Sequence, residues 1–413
     1  MKKACALLLA ALLLTFASGC GSLFEAEYDY EEPVTGDFST LSGDAAEIRN
    51  YSMLKTALTD MISRHEEQGE FRLANYKGSP SEDLAAACYE IKSTNPLGAY
   101  AVESLSYDTS YVVSYYMANI FISYKRTAEE LDRIVYAPTA GDFDRILCTA
   151  EDERAPDAVV RVYSSVVDEA YIRTLLRRHY YENPAAMTAE PEIRVESYPN
   201  EGANRVHCVS FDYAVSRTER DNMAAELDAA LDAAASALTE TEPAKLALEG
   251  IEWLSSLCTE PLTDRFSDTA YGAVLLHSSD SKAMALAFRA LCGKLEIPCT
   301  VVEGSIGAMG AEPHFWNIIE LEGAYYHVDA SAFAAAPNQA FLLSDDALWG
   351  TYIWATEDYP QCSGTLRYSD VAELPGPEQP EETEAPEGEE EQPPTEETEE
   401  ADHISGEKPQ NND

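Results

Sequence analysis

Three side chains of this 413-residue chain have the types and the order that acyl transfer requires: Ser281, His314 and Asp329. In such a unit an imidazole takes the proton of the nucleophile, and a carboxylate holds the imidazole in the right tautomer. Ser281 opens the stretch "SKAMALAFRALCGK", directly after Ser279 and Asp280, either of which makes an N-cap. Ala283, Leu286, Ala287, Ala290 and Leu291 then fall on one apolar stripe, so the spacing predicts a helix with Ser281 in its first turn. A first-turn side chain lies near unpaired backbone N–H groups and the positive end of the helix dipole. A cysteine there would be held as a thiolate and would be nucleophilic at neutral pH. A serine hydroxyl is too weak an acid for that, and needs a base in direct contact. Ser281 therefore reads either as an ordinary helix-start serine or as a nucleophile that depends on His314.

The base and its orienter need a strand pair. "CTVVEGSIG" reads as a buried strand, "HFWNIIELEG" sets His314 at the head of another, and "AYYHVDAS" pairs with it across Glu322-Gly323. His314 and Asp329 then fall on neighbouring strands, close enough for an Asp–His hydrogen bond, with the other ring nitrogen facing the start of the helix. The pair serves either catalysis or strand register. Phe315 and Trp316 are the candidate cleft residues, a core position being the alternative for Trp316. His327, two residues before Asp329, is expected to be a surface histidine with at most a supporting role, and His277 is one further group near the helix start. The cysteines show no zinc spacing, and no metal or cofactor is expected.

From about Pro243 to Cys362 these residues resemble the transglutaminase-like domain of bacterial exported proteins. The resemblance runs through "IEWLSSLC", "DTAYGAV", "AMALAFRALCGKLEIPC", "HFWNIIELEGAYYHVD" and "FLLSDDALWGTYIWATEDYP". It implies a papain-like α+β core with a Cys-His-Asp triad, acting on glutamine amides or peptide amides. His314 matches the family histidine and Asp329 the family aspartate, while the cysteine position falls on Ser281. Ala283 stands where a glycine is usual and Phe315 where a small residue follows the histidine, and both changes narrow the space at the nucleophile. Cys292 lies about three turns further along the helix and cannot substitute. Because a triad acts as a unit, loss of one member removes nearly all of the acceleration. The resemblance thus implies a degenerate domain whose cleft binds a peptide, cell-wall peptide or envelope protein. The alternative is a serine acyltransferase or amidase built on Ser281, His314 and Asp329.

Ahead of this domain, two segments run through the same signals at a spacing near 90 residues. "EFRLANY", a capped helix ending at Asn95-Pro96, and a long strand "YVVSYYMANIFISYKRT" are echoed by "AVVRVYSS", a helix ending at Asn183-Pro184, and "NRVHCVSFDYAVSRT". A repeat this long points to a duplicated α/β module and not to a solenoid. The expected fold class is α+β: a papain-like transglutaminase core over 243–370, preceded by modules over 45–135 and 136–242, the second including a connecting helix.

The ends fix the setting. Lys2 and Lys3, the apolar run 4–16 and "ASGC" read as a lipoprotein export signal over 1–20, with Cys20 as the lipidated first mature residue, although Ala17 replaces the commoner leucine. Residues 21–44 read as a flexible tether and 371–413, rich in Pro, Glu and Thr, as a disordered acidic tail. The net charge of −46 repels phosphate backbones, which excludes nucleic acid as a partner. The expected location is the outer face of the bacterial cell membrane, with the membrane itself held through a lipid. Seven cysteines beyond Cys20 leave at least one thiol unpaired.

Overall fold

The computed structural model describes residues 46–257, 265–307 and 312–372. The export signal, Cys20, the tether, Cys258 and the acidic segment after Ala372 lie outside these residues. Val371, assigned from sequence to the tail, still packs into the rear core at 6% exposure. Among the described residues no helix is long and apolar enough to cross a membrane. The six described cysteines are free thiols.

The front half holds two four-stranded sheets. The first runs β1 (Ala46–Glu47), β2 (Gln68–Leu73), β4 (Tyr115–Tyr124), β3 (Val102–Val112), with helices α1 (Tyr51–Ser63), α2 (Pro80–Ser93) and α3 (Pro96–Ala101). The second, reached through α4 (Ala128–Asp132), runs β5 (Val135–Ala137), β6 (Asp157–Tyr163), β8 (Asn204–Asp212), β7 (Glu192–Tyr198), with α5 (Ala140–Asp152) and α6 (Glu169–Glu182). In both, the first two strands are parallel and the rest antiparallel.

One expectation is corrected. "YVVSYYMANIFISYKRT" is not a single strand but the tip and second arm of a hairpin, β3 paired with β4 from Val112↔Tyr115 to Val102↔Tyr124. The turn lacks the usual Asn or Gly, and Val113 takes the left-handed conformation at φ 53°, which a β-branched side chain disfavours. Cross-strand pairing along the two arms holds that turn, so no local signal marked it.

The rear half is built around one helix, α9 (Ser281–Lys294). Packed on it are α7 (Arg217–Ala237), α8 (Pro243–Leu257) and the sheet β12 (Phe341–Leu343), β11 (Ala324–Val328), β10 (Glu312–Leu321), β9 (Cys299–Ile306), β13 (Tyr352–Ile353). All pairs in this sheet are antiparallel. The sequence predicted one apolar stripe on α9. Met284, Ala285, Phe288 and Cys292 are buried as well, so the helix is covered on nearly every side. Leu227, Leu231 and Ala234 of α7 share this core with Tyr180 and Met187 from the front half. The connecting helix is thus packed as part of the rear domain.

Candidate active site

Asp280 is the N-cap of α9: its side chain accepts from the Ala283 N–H at 2.8 Å. Ser281 follows as the first helical residue and is part-exposed. Just upstream, Gly272 begins a π-helical turn, where a Cβ would stand 2.0 Å from the Phe266 carbonyl oxygen. Only glycine lets the chain fold back there and deliver Asp280 to the helix start. His277 ends that turn in the left-handed conformation with its side chain exposed, its backbone N–H donating to the Gly272 carbonyl.

β10 begins at Glu312, but its pairing with β11 starts only at Asn317↔Val328. The overhang leaves an open edge at 312–316, and the helix start meets the strand there. The Phe315 N–H donates to Ser281 Oγ at 3.3 Å. One position further along the same side, Asn317 donates from Nδ2 to the Ala285 carbonyl at 2.9 Å and ties the strand to the helix. His314 is 8% exposed. Its Nε2 lies 2.6 Å from Asp329 Oδ2, which leaves Nδ1 as the nitrogen able to serve as base.

Asp329 does more than orient the imidazole. It stands just past β11 as the N-cap of α10 (Ala330–Phe333), and Oδ1 accepts from Ser331 N–H, Ser331 Oγ and Ala332 N–H at 3.0, 2.7 and 3.1 Å. Oδ2 also accepts from Tyr352 Oη at 2.7 Å. Burial opposes ionisation of this carboxyl. The bonds and charge of His314, with those of Tyr352 and Ser331, outweigh it and hold the carboxyl below the usual aspartate range. Burial first, and then the charge and hydrogen bond of Asp329, push the Tyr352 phenol well up. Tyr352 reaches Asp329 because β13 lies against β9. Gly304 permits this, since a Cβ there would stand 2.4 Å from the Ile353 carbonyl oxygen and 2.7 Å from Trp316.

Trp316 is fully buried behind His314, their rings 6.2 Å apart, and lines no open cleft. His327 is not on the surface either. At 1% exposure it accepts from Trp316 Nε1 on Nδ1 at 3.0 Å, while its Nε2 lies 2.9 Å from Asp345. Its cover is Trp354, whose ring lies 5.1 Å from the imidazole and which no local pattern around His327 reveals. Burial lowers the His327 pKa, against the pull of Asp345. With Cys362, these two groups place three possible metal-ligand atoms within 4.8 Å of one another. The donor set does not fit a metal. Indole N–H can only donate, so Nδ1 is the acceptor and the proton sits on Nε2, the nitrogen that would have to ligate.

The Phe315 ring is part-buried and packs against groups from both halves of the chain. The Tyr181 ring, at the end of α6, packs on it edge-on at 6.0 Å. Lys282 Nζ lies over the Tyr180, Tyr181 and Phe315 rings and pairs with Glu190 at 2.6 Å. Arg177 and Tyr181 both bond Glu303 on β9. Sequence reasoning missed these residues and Tyr352. No local signal at Tyr180, Tyr181 or Glu190 points to an element 100 residues away.

No family profile matches the sequence, and neither does any curated relative. Among solved structures, the chain overlaps a putative cysteine protease from Cytophaga hutchinsonii at 13% identity and a TM-score of 0.24, over 40% of this chain and 66% of that one. It overlaps a structure described as a TGase at 11% and 0.24, over 52% and 61%, and the periplasmic domain of TgpA from Pseudomonas aeruginosa at 17% and 0.22, over 34% and 58%. The chain thus spans less than two thirds of each of those chains.

Proposed function

We propose that this chain is a lipid-anchored protein of the extracytoplasmic face of the bacterial cell membrane whose rear domain is a catalytically degenerate, transglutaminase-like cleft that binds a peptide, cell-wall peptide or envelope protein. The two front modules are read as copies of one unit, in keeping with their shared strand order. The observation that carries the degenerate reading is the bonding of Ser281. Its Oγ accepts from the Phe315 N–H, and among the described residues it has no hydrogen bond to His314. A serine without contact to its base is not activated.

Ser281→Cys tests this reading. If only the nucleophile has been lost, the new thiol sits at a helix start beside His314 and should react with iodoacetamide well below the pH at which an ordinary thiol of pKa about 8.5 becomes inert. His314→Ala in that background should remove most of the advantage. Wild type is the control for the remaining cysteines. A thiol that titrates like a free one would show a cleft decayed beyond one residue. A second reading, a serine acyltransferase or amidase, draws on the His314–Asp329 bond at 2.6 Å. Mass added to the Ser281 peptide by a serine-directed phosphonate would establish it. Anchoring is tested separately: Cys20→Ala should release the chain from the membrane fraction, and unchanged fractionation without a lipid mass on the N-terminal peptide would refute it.

A further inference from the structure

The module that carries β5 to β8 holds a cavity of about 530 Å³ to which none of the Ser281 site residues contributes. Arg205, at the start of β8, lines it and is 8% exposed. Nη2 donates to the Val167 carbonyl, and this is the only hydrogen bond the guanidinium makes to a described residue. Nε is sealed from solvent without an acceptor, and no described carboxylate pairs with the side chain. A guanidinium has five N–H donors and is charged at every physiological pH. Buried charges are ordinarily paired, because an unpaired one is costly.

Three further features define what this cation could meet. The cavity lies at the N-terminus of α6, a helix of 14 residues whose dipole adds partial positive charge beside Arg205. His207, on the same face of β8, is held neutral, its pKa pushed down to about 4 by burial and by the Arg205 charge, so Arg205 is the cation of the floor. Asp168, Glu169 and Glu196 stand around the rim. Asp168 caps α6 through Oδ1, and Glu196 accepts from Tyr198 through Oε2. Asp168 Oδ2 and Glu196 Oε1 accept no hydrogen bond from a described residue. Glu169 pairs with Arg173 at 2.9 Å and Glu196 lies 3.7 Å from Arg126, so Asp168 is the rim acid left without a cation, as Arg205 is the cation left without a carboxylate. A ligand that carries both a carboxylate and an ammonium meets both.

We propose that this cavity binds a small zwitterion, an amino acid or the end of a short peptide, with its carboxylate on Arg205 and its ammonium on Asp168. The Arg205 guanidinium matches a planar carboxylate, and the two charges of the ligand match the two that the cavity leaves unpaired. This site is independent of the Ser281 cleft, and neither reading requires the other.

The test follows the arginine Nε–H resonances of the full-length chain by NMR during titration with alanyl-alanine, alanine, N-acetyl-alanyl-alanine, alanyl-alaninamide and acetate. Saturable movement of the Arg205 resonance is expected with alanyl-alanine or alanine, and the stronger of these two separates a peptide end from a free amino acid. Each singly charged probe should bind at least about tenfold more weakly, because one charged contact is lost. Arg205→Gln should abolish the response. Because that change also removes the bond to Val167, Asp168→Asn supplies a variant that keeps the helix cap, asparagine capping as well as aspartate, and loses only the rim charge. It should weaken zwitterion binding without weakening that of acetate. Equal responses to acetate and alanyl-alanine, indifference to both variants, or no saturable movement with any probe would each overturn the proposal.

Discussion

Asp329 and Glu151 are both carboxylic acids almost wholly withdrawn from water, at 2% and 1% exposure, and they ionise in opposite senses. Asp329 accepts five hydrogen bonds and is held as the anion. Both oxygens of Glu151 are sealed without a partner among the described residues, and its pKa is raised to about 8 by burial first, then by Asp152 and Glu190. Burial alone does not decide ionisation; the partners do. The sign for stability follows. The folded form of Glu151 keeps its proton above the pKa of the unfolded chain, so its contribution is full below about pH 4.5 and is lost as pH rises towards 8. The slope is about 1.4 kcal/mol per pH unit at most, a few kcal/mol in all. Glu151→Gln should flatten the fall in urea midpoint between about pH 5 and pH 8, and a fall of unchanged steepness would assign it to other groups. Asp329 acts in the opposite direction, its stabilisation being lost as pH falls through its lowered pKa.

At the scale of elements, the start of α9 governs the site because the helix has little freedom elsewhere. Its N-cap, Asp280, fixes the first turn, and the Asn317–Ala285 bond fixes its height on β10. A frayed first turn would carry Ser281 away from the Phe315 N–H. Asp280→Ala should destabilise the chain by about 0.5–2 kcal/mol, whereas Asp280→Asn should retain most of the stability, since an amide oxygen caps equally well. Denaturation midpoints compare the two. If Asn proved as harmful as Ala, the carboxylate charge and not the cap would be the important feature, although burial already disfavours that charge by raising the Asp280 pKa.

For the whole molecule, the rear core is a joint product. Tyr180 and Met187 enter it from the front half, Lys282 of α9 pairs with Glu190, and Arg177 with Glu303. The rear domain cut at Pro243 would therefore expose apolar surface, and the front half supplies the Tyr181 ring that packs on Phe315, the residue whose N–H holds Ser281. The acidic segment after Leu374 contrasts with this, having almost no apolar side chains to offset the entropy of ordering it. Truncation there should leave the thermal midpoint within about 1–2 °C. A larger drop, or broader unfolding, would show that the segment packs.

What the sequence determined by itself is what local chemistry encodes. The cap at Asp280, the helix behind it and the hairpin of β10 and β11 were legible. So was the turn between those strands, where Glu322 and Gly323 take φ of 51° and 80° as a two-residue hairpin turn requires. The order of Ser281, His314 and Asp329, and the meeting of the last two, followed from that hairpin. Only the tertiary structure decided that Asp329 would also accept from Tyr352. It alone decided that Ser281 would be held by the Phe315 N–H, that His327 and Trp316 would be sealed in, and that Tyr181 and Lys282 would pack on Phe315. Each of these depends on packing between segments 11 to 134 residues apart along the chain, and repeats of two or 3.6 residues record only which face a side chain takes, not what covers it.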